Sequence, residues 1–599
     1  IWVAPLGKLE EAKAVTRDRK RGIRAHGWTV DSGSLCYAQD LEGDENWHIH
    51  LVPAQGGEDR DLTPFPKTSA QILKGSFDHP DKLLVGLNNR DERFHDVHLL
   101  DLPTGKLTEV FRNDKGYAEF TADFDLNVRM TGRFNPDGGF TYFAKDPSGE
   151  MKEFMTMPSD DTIGTGPVGF TKEGKILFFQ DNAGRDTVAL YRYDLSKGTR
   201  EMVIADERAD VSRVLTNHLT GELEAVAFYY ERQTWKVLEP KLKPDFEFLE
   251  KQVRGDFEIM SRTKDDQKWV VVEWQDDGPS SFFLYDRPAK SLKLLMVSRK
   301  ALMGKPLAKM RPVVLSSRDG FKMVSYLTLP GEIKADRPGK PLPLVLFVHG
   351  GPQARDSWGF NPYHQLLSDR GYAVLSVNYR GSTGFGKNFV NAGKLEWGRK
   401  MHEDLIDAVE WAIREKIADP RKIAIMGGSY GGYATLAGLT FTPDLFACGV
   451  DIVGPSNLNT LLSSIPPYWT AFLDSMYQGI GDPRTPEGKK LLEDRSPLNH
   501  VEKIKKPLLI AQGANDPRVK QAESDQIVKA MREKGIPVTY VLYPDEGHGF
   551  ARPQNNLAFM AVTEAFLKQH LGGEAEPVGK AFEGSSITIP EGKEGIPGL

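Results

Sequence analysis

Apolar and polar positions fall into two textures along this chain, and the change comes near Met310. Before it, apolar residues come in short blocks of alternating or aromatic character that end near Asp or Pro: Ile1–Pro5, His48–Pro53, Val97–Asp101, Leu190–Asp194 and Phe282–Asp286. Ahead of most of them stands a second block, a turn leading into a strand and an acidic or amide residue, at Asp31–Asp40, Asp78–Asn88, Asp137–Asp146, Lys172–Asp181 and Asp265–Asp276. The repeat of roughly 45 residues is the length of a four-stranded propeller blade. Six such units occupy about residues 20 to 300, preceded by an orphan strand at Ile1. They predict a seven-bladed β-propeller whose first blade is incomplete. The unit at Leu215–Pro240 is the least regular, which leaves counts of six and eight open. A blade cannot bury both faces of its sheet alone, so stacking around a ring is what stabilises it.

After Met310 the pattern becomes an alternation of strand and helix. Pro343–Val348, Ala373–Tyr379, Lys422–Met426, Cys448–Val453, Pro507–Gln512 and Val538–Tyr543 are short apolar runs of the kind buried parallel strands require. Between them lie helical periods. In Glu403–Ile413, Leu405, Ile406, Val409, Ala412 and Ile413 share a face opposite Asp404, Asp407 and Glu410; Ser524–Lys534 and Leu557–His570 are similar. This predicts a doubly wound α/β domain with its site at the carboxyl ends of the strands. The expected organisation is a propeller over residues 1–305, an α/β-hydrolase domain over 306–573, and a Gly/Pro/Glu-rich tail over 574–599.

The candidate chemistry lies in three turns of the second half. Strand Lys422–Met426 runs into Gly427-Gly428-Ser429-Tyr430-Gly431-Gly432 and then a helical stretch. GxSxG alone is weak, but strand, turn and helix together are the setting that exposes a serine on a strained turn. A serine hydroxyl is a poor nucleophile near neutral pH, so it needs a base and a group that orients the base. In this fold the chain order is Ser, acid, His. Asp516 follows strand Pro507–Gln512, and His548 follows strand Val538–Tyr543, each just past a carboxyl end. Asp545 and Glu546 are too close in sequence to His548 to reach back to its ring. Two oxyanion donors are expected, the backbone N–H of Tyr430 and one from His349-Gly350-Gly351-Pro352, assigned to Gly351. His349 itself is expected to be a structural hydrogen-bonding residue rather than a second base.

Composition mainly excludes. A net charge of -6 over 599 residues leaves no footprint for nucleic acid or an anionic membrane. Cys36 and Cys448 are too few and too far apart for a disulfide framework or a metal spacing. His48 and His50 near Asp44 and Glu45, and His95 with His98, suggest metal ligands, yet residues two apart on a strand share a face, and a polar blade face explains the first pair without an ion. No metal is expected. There is no GxxxxGK[ST] loop, HExxH or EF-hand loop, so no cofactor is expected either. No apolar run approaches the roughly 18 residues needed to cross a bilayer, which predicts a soluble protein, cytoplasmic or periplasmic. Because the chain opens on Ile1, a segment is expected to have preceded it, and any signal peptide with it. A homo-oligomer is compatible with all of this.

With these residues in hand, the chain resembles the prolyl oligopeptidase family of serine peptidases, and within it the acylaminoacyl-peptidase-like branch. The resemblance rests on Gly427–Gly432, His349–Pro352, Asn378–Gly386, Gly513–Val519, Glu546–Phe550 and the propeller segment Gly43–Trp47. It implies a propeller that caps the hydrolase site and admits short peptides rather than folded proteins. It further implies that Arg518, two residues after the acid, holds a substrate carbonyl, and that Tyr430 with Val453, Tyr468 and Trp469 builds an apolar S1 pocket. Dipeptidyl-peptidase relatives anchor the substrate amine with an adjacent Glu-Glu pair from the propeller. The one such pair here, Glu10-Glu11, sits in a polar stretch near the start, which weighs against that type unless separated acids do the same work. Two rivals remain: an esterase or amidase on small acyl substrates, and a catalytically silent propeller scaffold.

Overall fold

The computed structural model describes residues 1–596. Six antiparallel sheets span residues 25–61, 70–111, 119–157, 166–204, 211–237 and 256–297. A two-stranded ribbon, Trp2–Val3 with Lys13–Ala14, precedes them. Ile1 and Val3 pack on Leu35, Tyr37 and Val52 of the 25–61 blade. Gly7 faces Lys293 of the 256–297 blade. The ribbon therefore stands between the last and first full blades, in the place of the incomplete one.

Two blades differ in detail from the expected repeat. In the 119–157 blade, the turn-and-strand block at Asp137–Asp146 forms the third strand, Phe140–Lys145. The second strand, Val128–Phe134, leaves another Asp-led turn, in which the Asp123 carboxylate accepts from the amides of Asp125 and Asn127. Two such turns in one blade send the same signal. The irregular unit has three strands, followed by a helix at Lys243–Gln252. Phe246 and Leu249 of that helix pack among Phe257, Trp269 and Tyr285 of the next blade. Buried Asp245 fixes it there by accepting from Tyr285 Oη (2.7 Å), Arg287 Nη2 (2.9 Å) and Lys290.

At one end of the ring, contacts reach across blades. The Phe77 ring lies 5.4 Å from that of His218 and 5.8 Å from Lys264 Nζ, and Asp78 pairs with Lys172 at 2.8 Å. These join the 70–111 blade to the 166–204, 211–237 and 256–297 blades, and they lie at the ends of the strands that point away from the second half of the chain.

That second half is a nine-stranded sheet: β1 Met310–Ser316, β2 Lys322–Thr328, β3 Leu342–Val348, β4 Ala373–Val377, β5 Ala418–Gly428, β6 Cys448–Ile452, β7 Leu508–Gly513, β8 Val538–Tyr543 and β9 Thr588–Glu591. Its order is β1-β2-β4-β3-β5-β6-β7-β8-β9, with β4 through β8 parallel. The stretch read as a tail contributes β9, antiparallel to β8, and buries Ile596 in the core on one face of the sheet. The helices that cover the sheet include α1 Lys400–Arg414, α2 Tyr430–Phe441, α3 Gln521–Glu533 and α4 Pro553–Leu571. The polar face expected for α1 is not wholly solvent-facing. Asp404 and Asp407 are buried because arginines meet them: Arg380 Nε and Nη2 on Asp404 at 2.8 and 2.6 Å, and Arg318 Nε on Asp407 at 2.9 Å. Among the described residues no helix is long and apolar enough to cross a membrane.

The Asp245 network generates a stability prediction. Asp245→Ala leaves Tyr285 without its acceptor and removes one of the two carboxylates that pair with Arg287, Asp266 being the other, and should destabilise the protein by about 2–3 kcal/mol. Chemical denaturation followed by tryptophan fluorescence, which reports on neighbouring Trp269, checks this.

Candidate active site

Strand β5 delivers Ser429 onto a turn that only this sequence of glycines allows. A Cβ on Gly427 would lie 2.4 Å from Val348 O, and one on Gly431 2.1 Å from the same atom. With both absent, β5 and α2 close against β3. Ser429 takes φ 59° and ψ −118° at the head of α2, a conformation that costs a non-glycine residue free energy and is held by Ser429 N donating to Ile452 O at 2.9 Å. Gly350 packs against it, since a Cβ there would lie 3.2 Å from Ser429 Cβ. The Gly351 and Tyr430 backbones thus border the same space as the serine hydroxyl.

The loops after β7 and β8 are joined. Ala514 N donates to Tyr543 O and Asn515 N to Glu546 O, at 3.0 and 2.9 Å. They bring His548 Nδ1 to 2.7 Å from Asp516 Oδ2. Asp516 Oδ1 accepts from the amides of Arg518 and Val519, both at 2.9 Å, so the buried carboxylate is fully satisfied and cannot rotate freely. His349 is occupied otherwise. Nδ1 meets Gly350 O at 2.7 Å, Nε2 meets Ser382 Oγ at 2.9 Å, and the ring stacks on Tyr379. Burial brings its pKa down to about 4, so it stays neutral and structural.

A cavity of about 200 Å³ opens beside Ser429. Tyr430, Gly351, Trp469 and Arg518 border it, and Trp397, Met401, Leu461 and Ile480 give it apolar walls. Val453 does not border it. Its side chain packs into the core on the other side of the sheet, and its N–H donates to Ala511 O at 2.9 Å. Tyr468 faces a second, polar pocket of about 360 Å³ that shares Arg518 and Phe472 with the first.

Glu45, which arrives from the propeller, lines the second pocket. Its carboxylate accepts from Tyr468 Oη at 2.5 Å and pairs with Arg518 Nε at 2.8 Å. Burial, with Glu45 beside it, pushes the Tyr468 hydroxyl well above the ordinary tyrosine range, so it remains a donor. Sequence reasoning grouped Glu45 with His48 and His50 as a metal possibility. Those histidines are engaged elsewhere, His48 with Asp61 at 2.7 Å and His50 stacked on Tyr37, and among the described residues no group of three or more His, Cys, Asp or Glu is arranged to hold a metal. The available signal was the Gly43–Trp47 segment. Glu10 and Glu11 lie exposed on a short helical turn.

A strand-turn-helix serine at the carboxyl edge of this sheet, an Asp–His pair on the loops that follow two further strands of the same sheet, and a propeller in contact with those loops define a propeller-capped α/β-hydrolase. The comparisons agree. The sequence model of the prolyl oligopeptidase family matches residues 358–574. Dipeptidyl aminopeptidase BIII of Pseudoxanthomonas mexicana is 53% identical over 602 residues, covering 100% of this chain and 87% of that protein. An acylamino-acid-releasing enzyme of Arabidopsis thaliana is 31% identical over 39% of this chain and 31% of its own length. Among solved structures, a puromycin-hydrolyzing peptidase of Mycobacterium tuberculosis superposes with a TM-score of 0.72 at 20% identity, covering 94% of this chain and 90% of that one, which shows a shared fold. The chain belongs to the prolyl oligopeptidase family and is a serine-type peptidase.

The loop after β3 also carries a titration prediction. Burial pushes the Asp356 carboxyl up to about 7, and its Oδ2 has no partner. An acid whose pKa is raised by folding favours the folded state while protonated, and this contribution is lost as pH rises from the unfolded value of 3.8 through about 7. Asp356→Asn, a mimic of the neutral acid, should exceed the wild-type Tm by a margin that grows from about pH 4 and levels off above about pH 7. Differential scanning fluorimetry across that range reads the difference.

Proposed function

We propose that Ser429, His548 and Asp516 form a catalytic triad and that the enzyme releases dipeptides from the free N-termini of short peptides. In this reading His548 Nε2 takes the Ser429 proton as Oγ attacks the scissile carbonyl. Asp516 holds Nδ1–H and stabilises the imidazolium, and the Tyr430 and Gly351 amides receive the oxyanion. The protonated His548 then gives its proton to the leaving amine, and water releases the acyl group by the same steps in reverse roles. Trp469 and the apolar cavity take the P1 side chain, while Arg518 and Tyr468 lie toward P2.

The observation that carries the dipeptidyl reading is Glu45. This carboxylate lines the polar pocket and pairs with Arg518, which borders both that pocket and the Ser429 cavity, and in this reading it receives the amine of a two-residue acyl portion. It supplies from the propeller what an adjacent Glu-Glu pair supplies elsewhere. The relative aligned over the whole chain is named a dipeptidyl aminopeptidase, which supports the same assignment. One observation favours a second reading, release of acylated residues. Arg518 already neutralises Glu45, so an uncharged N-terminus would leave the pair intact.

Two measurements decide. Ser429→Ala should abolish labelling by a fluorophosphonate probe, and a well-folded variant that still labels would refute the nucleophile. Glu45→Gln should lower kcat/KM on a free-amine dipeptidyl anilide by about 30-fold or more while sparing its N-acetylated counterpart. Equal effects on both substrates, or faster cleavage of the acetylated one by the wild type, would favour the acyl-releasing reading.

A further inference from the structure

We infer that the propeller loop 41–45 is a positioning element for His548, and that Gly43 and Arg21 are the residues through which it acts. The inference rests on the triad assignment above and concerns what holds the base in place.

His548 sits on a tight turn in which Gly549 N donates to Gly547 O at 2.9 Å. The peptide just before the histidine is enclosed from two sides. A Cβ on Gly513, at the end of β7, would lie 2.1 Å from Gly547 O. From the opposite side, a Cβ on Gly43 would lie 2.3 Å from Gly547 N, and one on Gly547 itself 2.2 Å from Gly43 O. Three backbones from three parts of the chain are thus stacked without room for a methyl group, and one of them belongs to the propeller.

Other propeller contacts fall on the same loops. Arg21 Nη1 donates to buried Glu546 Oε2 at 2.5 Å, and Arg21 Nε faces Asp40 at 3.4 Å. Glu546 in turn accepts from the amides of Ala551 and Arg552, at 3.0 and 2.8 Å, so the arginine grips the loop that carries His548 at its anchor. Asn515, beside the acid, donates from Nδ2 to Glu42 O at 3.0 Å. Propeller contacts elsewhere on the hydrolase, such as Lys387 with Asp161 and Arg355 with the carbonyls of Tyr229 and Tyr230, fall far in sequence from both loops. The loop holds backbone that favours glycine at Glu42 (φ 52°), Gly43 (φ 89°) and Glu45 (φ 59°), and such conformations persist only where surrounding contacts enforce them. The hydrolase alone therefore supplies the triad residues, while the seated first full blade fixes the orientation of the base.

The test uses Gly43→Ala, Arg21→Ala and Arg21→Lys in the full chain, with folding checked by circular dichroism and thermal unfolding. Each is assayed on p-nitrophenyl acetate, which is too small to need Glu45, and on a free-amine dipeptidyl anilide. A displaced base should lower kcat on both substrates at least about tenfold with KM within about twofold. Arg21→Lys should recover most of the loss. Folded Gly43→Ala and Arg21→Ala proteins that retain ester kcat within about twofold, or that lose only KM on the peptide, would overturn the inference. If Gly43→Ala does not fold, Arg21→Ala decides alone. Failure of the triad assignment would appear separately, as activity surviving in His548→Ala or Ser429→Ala.

Discussion

The contact on which the arrangement of the site depends is the stack of Gly513, Gly547 and Gly43. Close backbone approach of this kind is possible only where all three residues lack a Cβ, because each would-be methyl group falls within about 2.1–2.3 Å of a neighbouring backbone atom. The stack fixes the turn of His548 against the strand that leads to Asp516, and it does so with rigid groups rather than long side chains. Hydrogen bonds then refine the geometry: two amides on Asp516 Oδ1 leave Oδ2 aimed at the imidazole. An Asp held by backbone donors needs no further cation to stay in place, which frees Arg518, on the same turn, to face Glu45.

Ser429 is held by an independent device on the neighbouring strands. Gly427 and Gly431 let β5 and α2 meet over Val348, and the strained Ser429 is tied to Ile452. Positions Ser429 and His548 are therefore set by different glycine contacts on different strands, and their common frame is the parallel sheet from β3 to β8. A single added methyl at any of these glycines is costly, because it would fall on backbone that has no room to move.

Much of this was legible in the sequence because it was written in local signals. Buried parallel strands read as unbroken apolar runs, and four of the six expected runs match their strands to within one residue at either end, the exceptions being the second residue pair ending at Tyr379 and the longer β5. The candidate serine, acid and histidine could be nominated because each follows a strand in a fixed order. What was not legible was long-range. The burial of Asp404 and Asp407 depends on Arg380 and Arg318, distant in sequence and invisible to helical periodicity. The family resemblance implied Val453 as a pocket residue, yet the strand end turns its side chain toward the opposite core. The Gly43 contact with Gly547 joins residues about five hundred apart, and no local pattern announces it.

Glu45 shows how the two halves share one task. A glutamate two residues beyond Gly43 is carried to Tyr468 and Arg518 by the same loop that presses on Gly547, so the proposed ligand recognition and the proposed placement of the base would lie on one short segment. Its left-handed backbone is tolerated because both ends of the loop are tied, through Glu42 O to Asn515 and through the carboxylate to Tyr468 and Arg518. A substrate amine that bound Glu45 would compete with Arg518 for the same oxygens. The net attraction is then the difference between two charge pairs rather than the full strength of one, and an exchange of partners in a partly hydrated site is worth far less than an isolated ion pair. In such a site an ammonium left without an acceptor is penalised and an uncharged acyl group is not, so a preference for a free N-terminus would require that Glu45 accept from the amine.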